Sequence, residues 1–290
     1  MLDVDAYLRR LRLSHPGPPS RDRLFAMHRA HVTYVPYETL EIQLGRPTTV
    51  DPLASAERII AGRGGYCYHL NGAFALLLEA LGYDVSRHVG GVFSGRRDAM
   101  PGGHMALTVR IPGEKLAGGK SAGGKLAGEE WLVDAGLGDA LYEPMPLRAG
   151  VSRQGPFTYR LEPIAGGWRF WHADNAGSFT GMDFAEEPVP VDVFAPHHLR
   201  LSTSPSSLFV NVAQVGRRTA TGLDFVQGCF FRQVDASGLR KRLLTSADEW
   251  FGVVREVFDM PLADVDAPQR AEVWGGLWER HERYMASLVA

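Results

Sequence analysis

The sequence predicts an α+β fold in which helices precede and follow a central group of short β-strands. Apolar residues recur at helical spacing in the first third of the chain and again near its end. Between these parts, short segments alternate apolar and polar residues and are separated by turns that contain glycine. Several short strands at this spacing indicate a barrel or a sandwich.

Two of the helices predicted in the first third begin at recognisable caps. Ser20 can accept a hydrogen bond from the first turn of the helix that follows it. Asp51 followed by Pro52 suits the N-cap and first position of a second helix, which should end near Gly62.

A third predicted helix carries one of the two cysteines. It should run from Cys67 to Leu81, with Gly82 as the residue that ends it. Cys67 follows two glycines and lies in the first turn, where free backbone N–H groups and the helix dipole stabilise a thiolate. A cysteine on an apolar stripe is also a common core residue, and the helix alone favours that interpretation.

Two predicted strands bring a histidine and an aspartate within reach of each other. His104 opens a strand of alternating residues, and Asp134 lies among apolar residues of the next one. If the strands pair antiparallel with Leu107 opposite Trp131, His104 lies opposite Asp134, with Cβ atoms about 4.5–5.5 Å apart. A hydrogen bond to the imidazole would offset the cost of burying the carboxylate. With the cysteine, they supply the nucleophile, base and orienting group that thiol catalysis requires.

The later part of the chain predicts two hairpins and two helices. The hairpins turn at residues 166–167 and 237–238. Ser246 and Glu249 have the spacing of a capping box, and Pro268 opens the last helix. The apolar stripe of that helix is expected to lie in the core; it comprises Trp274, Leu277, Trp278, His281, Met285 and Leu288.

Residues 113–130 nearly repeat the sequence KLAG and are rich in glycine and lysine. This composition predicts a flexible insertion between the strands that carry His104 and Asp134. Loop-closure entropy rises slowly with length, so the insertion does not prevent those strands from pairing.

Length, composition, net charge and cysteine content exclude several classes of protein. The chain has 290 residues, of which 45% are hydrophobic and 22% charged, so it can bury a large core. A net charge of -2 argues against nucleic acid as the main partner. Two distant cysteines, no apolar leader and no long apolar segment predict a cytoplasmic protein in a reducing compartment, without membrane attachment. No metal-ligand pattern accompanies the histidines, and we expect no metal.

Four segments, in order along the chain, resemble motifs of the arylamine N-acetyltransferases. They are VPYETLEIQLG (35–45), RGGYCYHLNG (63–72), WLVDAGLG (131–138) and LSTSPSSLFVN (201–211). The resemblance covers about residues 5–215. Four ordered motifs are far more specific than one short pattern.

The resemblance implies a fold and a papain-like cysteine triad. Cys67 would be the nucleophile, His104 the base and Asp134 its orienting group. The implied architecture is an N-terminal helical bundle over residues 1–86, a central β-barrel over 87–195 and a C-terminal α/β lid over 196–290.

The resemblance also implies a transfer reaction of the kind used in xenobiotic metabolism. Acetyl-CoA, as co-substrate, would acylate the cysteine, and an arylamine or arylhydrazine would then take the acetyl group in a ping-pong exchange. The backbone N–H of the cysteine is our candidate oxyanion donor. The resemblance assigns acceptor binding to Tyr37, Val92, Phe93 and Leu137, and coenzyme binding to Gly136, Gly138, Thr203 and Ser204.

Two positions depart from the family pattern. His69 stands where the family commonly has glutamate, and we expect its side chain to point to solvent. Leu137 replaces the usual phenylalanine between two glycines, which bears on acceptor selectivity.

Three alternatives remain open on the sequence. Relatives of the family close macrolactam rings as amide synthases and accept longer acyl donors. Thiol proteases and transglutaminases share the order Cys, His, Asp and would act without coenzyme A. A non-catalytic binding protein would keep the fold without a reactive thiol.

Overall fold

The computed structural model describes residues 1–15, 17–94, 102–112, 129–172 and 178–288. The predicted insertion at residues 113–130 therefore lies almost wholly outside the described residues.

The N-terminal part is helical, as predicted. The caps proposed for the second and fourth helices are confirmed: Ser20 Oγ accepts from the backbone N–H of Arg23 at 3.4 Å, and Asp51 Oδ1 from that of Ala54 at 2.7 Å. Gly82 follows the fifth helix with a φ of +87°, which favours glycine. The elements are α1 (Val4–Arg10), α2 (Arg21–Tyr34), β1 (Tyr37–Glu38), α3 (Leu40–Gln43), α4 (Pro52–Ile60) and α5 (Cys67–Ala80).

Eight antiparallel strands form the central, nearly closed barrel. They are β2 (Asp84–Phe93), β3 (His104–Arg110), β4 (Glu130–Leu132), β5 (Met145–Pro146), β6 (Gly150–Gln154), β7 (Phe157–Ile164), β8 (Gly167–Trp171) and β9 (Gly181–Pro188). Their order in the sheet is β5-β4-β3-β2-β9-β8-β7-β6. The hairpin predicted at residues 166–167 is confirmed, since β7 pairs with β8 there.

The C-terminal part combines a second sheet with helices. Its strands follow β1 in the order β1-β10-β11-β12-β13, and the hairpin predicted at residues 237–238 joins the last two. After a 3₁₀ turn at Val191–Phe194, the elements are α6 (Ala195–Thr203), α7 (Leu208–Asn211), β10 (Gln214–Arg218), β11 (Gly222–Gln227), β12 (Phe230–Asp235), β13 (Gly238–Leu243), α8 (Ala247–Phe258) and α9 (Ala267–Ser287). The exact boundaries of the three parts, at residues 86 and 195, stay a prediction.

The capping box predicted before α8 forms only in part. Ser246 Oγ accepts from the backbone N–H of Glu249 at 3.2 Å, but the glutamate carboxylate turns to the backbone N–H of Thr245 at 2.9 Å. A reciprocal box instead precedes α9, between Asp266 and Gln269.

The prediction that the whole apolar stripe of α9 is buried was wrong for its second half. Leu277 is 2% exposed, whereas Met285 and Leu288 are 43% and 62% exposed. The first half of α9 packs on the C-terminal core, and the last turns extend beyond it. No helix among the described residues is long and apolar enough to cross a membrane.

Candidate active site

Cys67 is the first residue of α5 and belongs to a buried cluster that includes Tyr66, Tyr68 and Phe194. The N-cap is Tyr66, and the cysteine is 3% exposed. Its Sγ lies 3.9 Å from the carbonyl oxygen of Gly103. Gly65 is required before the helix, because a Cβ atom there would come within 2.5 Å of the His69 side chain. The predicted position of the thiol at a helix start is confirmed.

The predicted contact between His104 and Asp134 is present, although the predicted register was wrong. The imidazole Nε2 lies 2.7 Å from Asp134 Oδ2, and both side chains are buried. Trp131 pairs with Val109 and not with Leu107, so the register is shifted by two residues. Because side chains alternate with a period of two, this shift keeps both groups on one face and makes the contact diagonal.

The charges around His104 favour its protonated form. Burial acts to lower its pKa, but the Asp134 carboxylate and the neighbouring Cys67 thiol act the other way and raise the pKa to about 10. Because Nε2 faces the carboxylate, Nδ1 is the ring nitrogen left for the thiol. A cationic imidazole next to a cysteine at a helix start stabilises the thiolate.

Asn71 fixes the orientation of the aspartate, a role that the sequence reasoning missed. Its Nδ2 donates to Asp134 Oδ1 and to the Met105 carbonyl, both at 2.7 Å, and its Oδ1 accepts from the Ala135 backbone N–H at 2.9 Å. Asn71 lies four residues after Cys67, so both project from one face of α5. That spacing was the available signal.

The glycines assigned to coenzyme binding pack against other parts of the protein. A Cβ atom on Gly136 would lie 2.7 Å from the Cα of Cys67, and Gly136 N–H donates to Asp134 Oδ1 at 2.9 Å. Gly138 has a φ of +75°, and a Cβ atom there would meet the Tyr37 ring at 2.9 Å. Both glycines therefore allow the aspartate loop to approach α5 and Tyr37, and contact with coenzyme stays a prediction.

The residues assigned to acceptor binding occupy different environments. Tyr37 lies beside the Cys67 cluster, and its ring contacts that of Phe209. Val92 is 38% exposed and Phe93 is 4% exposed, since neighbours on a strand face opposite ways. Leu137 is buried; with Tyr37 it lines a void of about 10 Å³, too small for an aromatic amine. Their contact with substrate stays a prediction.

The prediction that His69 points to solvent was wrong. Its side chain is buried and turns back so that Nδ1 accepts the backbone N–H of Tyr66 at 3.3 Å. Glutamate or glutamine makes this contact in a capping box. Burial lowers the pKa of His69 well below its usual range, so the ring is neutral. His198 completes the cluster by accepting the Tyr66 hydroxyl through Nδ1 at 2.6 Å.

Thr203 and Ser204 lie at the C-terminal end of α6. The Thr203 hydroxyl donates to the Leu199 carbonyl at 2.7 Å, and the Ser204 hydroxyl lies 3.0 Å from that of Ser206. Their assignment to coenzyme binding stays a prediction. Among the described residues, no three His, Cys, Asp or Glu side chains are placed to hold a metal ion.

Comparison with protein families identifies the chain. The N-acetyltransferase family model matches residues 21–267. This chain belongs to the arylamine N-acetyltransferase family. The arylamine N-acetyltransferase / N-hydroxyarylamine O-acetyltransferase of Salmonella typhimurium is 31% identical to this chain. The match covers 62% of this chain and 61% of the Salmonella protein.

Solved structures of arylamine N-acetyltransferases share the fold of this chain. The M. smegmatis arylamine N-acetyltransferase superposes with a TM-score of 0.83 at 27% identity, over 96% of this chain and 99% of that one. The Mycobacterium marinum enzyme in complex with CoA superposes with a TM-score of 0.82 at 25% identity, over 95% and 98% of the two chains.

One relative of this chain is named as a synthase and not as an acetyltransferase. The proansamycin X synthase of Amycolatopsis mediterranei is 30% identical over 56% of this chain and 58% of its own length.

Proposed function

We propose that this chain transfers an acetyl group from acetyl-CoA, through a thioester on Cys67, to an arylamine or arylhydrazine. The observation that carries the proposal is the buried His104–Asp134 pair beside a cysteine at a helix start. Family membership supports the same chemistry, and the M. marinum relative binds CoA.

In the first step, the Cys67 thiolate attacks the carbonyl carbon of the thioester. The backbone N–H of Cys67, in the first turn of α5, lacks an intrahelical partner, and we assign to it the hydrogen bond to the developing oxyanion. The carbon–sulfur bond to the coenzyme breaks, and His104 gives its proton to the departing thiolate. Asp134 stabilises the imidazolium before this transfer and fixes which nitrogen faces the sulfur.

In the second step, the amine nitrogen attacks the acyl carbon on Cys67. His104, now neutral, accepts the proton that the nitrogen loses as the amide bond forms. The bond from carbon to Cys67 breaks, which restores the thiolate and the imidazolium. The same two groups therefore serve both halves of a ping-pong cycle.

Intact-mass spectrometry tests the proposal directly. Acetyl-CoA alone should add the mass of one acetyl group and release one equivalent of free coenzyme, and a simple arylhydrazine should then remove the adduct as its acetyl product. The Cys67→Ala variant is the matched control and should show neither event. Turnover that needs no covalent adduct would contradict the proposal.

An amide synthase is the second candidate, because the proansamycin X synthase matches this chain at an identity similar to that of the acetyltransferases. The same cysteine would then accept a long acyl chain whose own amine closes the ring. A series of acyl thioesters of increasing length separates the two functions. Adduct formation that is fastest with acetyl favours the acetyltransferase, and one that is fast only with long chains favours the synthase.

A further inference from the structure

Two buried histidines enclose Tyr66, the residue that immediately precedes Cys67. His69 belongs to the first turn of α5, and His198 belongs to α6 of the C-terminal part. The Tyr66 ring lies 4.5 Å from the His69 ring and 5.8 Å from the His198 ring, measured between centroids. All three residues are at most 6% exposed. Neither imidazole takes part in the proton transfers assigned to His104.

The two histidines hold Tyr66 at opposite ends. His69 Nδ1 accepts from the Tyr66 backbone N–H at 3.3 Å, and His198 Nδ1 accepts from the Tyr66 hydroxyl at 2.6 Å. The tautomer of His198 follows from its other nitrogen, because Nε2 lies 2.8 Å from the Thr48 carbonyl, which can only accept. Nε2 therefore carries the proton, and Nδ1 is free to accept. The backbone and the side chain of Tyr66 are thus held separately.

Both imidazoles are in the neutral form that these contacts require. Burial is the main cause that lowers the pKa of each ring below its ordinary value of 6.5, and the positive charge of Arg58 acts in the same direction. A protonated ring would have no lone pair left for a donor. At neutral pH both rings can therefore accept from Tyr66.

The peptide bond between Tyr66 and Cys67 is held at its carbonyl. The Tyr66 carbonyl oxygen accepts from the backbone N–H groups of His69 at 2.9 Å and Leu70 at 3.0 Å. Because a peptide bond is planar, the direction of this carbonyl also sets the direction of the Cys67 N–H. That N–H is the donor we assign to the oxyanion, and such a donor acts only when it points at the developing charge.

His198 also connects this peptide to the C-terminal part of the protein. It is a buried residue of α6, and Phe209 of α7 contacts the Tyr66 ring at 5.0 Å between centroids. Apolar ring contacts are non-directional, whereas a hydrogen bond specifies one position of the hydroxyl. The bond to His198 therefore selects a single placement of the Tyr66 side chain within the cluster.

We propose that His69 and His198 are positioning residues for the reaction at Cys67. By holding the backbone and the hydroxyl of Tyr66, they fix the orientation of the peptide that carries the Cys67 N–H, so that this group points at the oxyanion of the tetrahedral intermediate. This inference rests on the proposed function, because it assumes acyl transfer through Cys67.

The test compares two reactions of the same thiol, of which only one forms an oxyanion. Acylation by acetyl-CoA passes through a tetrahedral intermediate, whereas iodoacetamide alkylates the thiolate by displacing iodide and forms none. Tyr66→Phe keeps the ring and removes the hydroxyl. In this variant the rate of acyl-enzyme formation should fall about tenfold, while the rate of alkylation of Cys67 stays within about twofold.

Tyr7→Phe is the matched control for this variant. It deletes another fully buried hydrogen bond between a tyrosine and a histidine, 2.9 Å from the Tyr7 hydroxyl to His31 Nε2, and should change neither rate. Equal losses of acylation in the two variants would overturn the inference. So would a Tyr66→Phe variant in which acylation and alkylation slow together, or in which neither slows.

A double-mutant cycle tests the contact at the hydroxyl. His198→Phe keeps a ring at this place and leaves the Tyr66 hydroxyl buried without its acceptor, so acylation should slow at least as much as in Tyr66→Phe. Adding Tyr66→Phe to this variant should cause no further loss, because both changes remove the same hydrogen bond. Losses that add in the double variant would show that the two residues act independently, against the proposal.

Rescue by glutamine tests the contact at the backbone. His69→Ala removes the acceptor of the Tyr66 N–H and should slow acylation about tenfold. His69→Gln supplies a carbonyl oxygen, as in a capping box, and should recover most of that rate. Equal rates in the two variants would contradict the role of His69. If the unaltered protein forms no acyl-enzyme from acetyl-CoA, the proposed function fails, whereas normal acylation that Tyr66→Phe does not slow refutes this inference alone.

Discussion

Cys67 and Cys229 are both buried free cysteines, yet their surroundings differ in the feature that governs thiol reactivity. Cys229 lies in the turn between β11 and β12, where burial raises the pKa of its thiol to about 11 although Arg280 acts in the opposite direction. Cys67 lies at a helix start, beside the His104 imidazole, whose pKa the Asp134 carboxylate and the thiol both act to raise. Burial alone keeps a thiol protonated, whereas burial next to an imidazolium held by a carboxylate favours the thiolate.

The largest expected difference is between variants of the two cysteines themselves. Cys67→Ala should abolish the acyl-enzyme and all transfer, because no other thiol lies beside the imidazole. Cys229→Ala should still acylate at close to the rate of the unaltered protein. Intact mass after mixing with acetyl-CoA measures both. Equal loss in the two variants would remove the distinction between the sites.

Removing the carboxylate should make Cys67 behave more like Cys229. In Asp134→Asn the charge that raises the pKa of His104 is lost, and the imidazole can adopt the wrong tautomer. Activity should fall on the order of 10³–10⁴-fold. Alkylation of Cys67 by iodoacetamide should slow in parallel, while circular dichroism stays unchanged. Full activity in this variant would show that Asp134 does not orient the base.

A smaller loss of activity is expected when Asp134 keeps its charge but loses the hydrogen bond from Asn71. Asn71→Ala removes one hydrogen bond to the carboxylate, worth about 1.5–3 kcal/mol, so acylation should slow roughly ten- to hundredfold. Gln154→Ala is the matched control: it deletes buried hydrogen bonds to the backbone of residues 142 and 143, outside the triad. If both variants lose activity to the same extent, general destabilisation explains the effect of Asn71→Ala.

The position of Cys67 at a helix start and the contact between His104 and Asp134 were predictable from the sequence, and the catalytic roles of the three residues stay a prediction. The cysteine follows two glycines at the start of a helix, where a thiolate is stabilised. The histidine and the aspartate lie in apolar strands, where a polar side chain needs a hydrogen-bond partner. The register between β3 and β4 was predicted wrongly because β4 has three residues, too few for the apolar pattern to distinguish pairings that differ by two.

Contacts between distant segments account for what the sequence did not predict. His69 looked like a surface residue, but the cluster formed with Tyr66 and His198 buries it. The role of Asn71 depends on a carboxylate 63 positions away. A cavity lined by Lys241, Arg280 and Arg283 joins α7, β13 and α9, and no single sequence motif contains these charges. The last turns of α9 are exposed because they extend beyond the C-terminal core. The spacing of apolar residues in the sequence does not show how far along a helix the core extends.

The last expected difference concerns how the two thiols respond to pH. His104, with a pKa of about 10 against an ordinary value of 6.5, stays charged through neutral pH and loses its proton as pH rises through about 10. The contribution of its ion pair to stability is thus fully present below 6.5 and lost as pH passes that higher value.

Iodoacetamide labelling of the two cysteine peptides, followed by mass spectrometry between about pH 7 and pH 9, measures this difference. The rate at Cys229 should climb about tenfold per pH unit, because its thiol stays mostly protonated below its pKa of about 11. The rate at Cys67 should stay nearly constant over the same range, since the imidazolium that stabilises its thiolate remains in place. Asp134→Asn should give Cys67 a slope nearer to that of Cys229. Parallel slopes in the unaltered protein would mean that the imidazolium does not hold the Cys67 thiolate, and burial would then be the property that governs both sites.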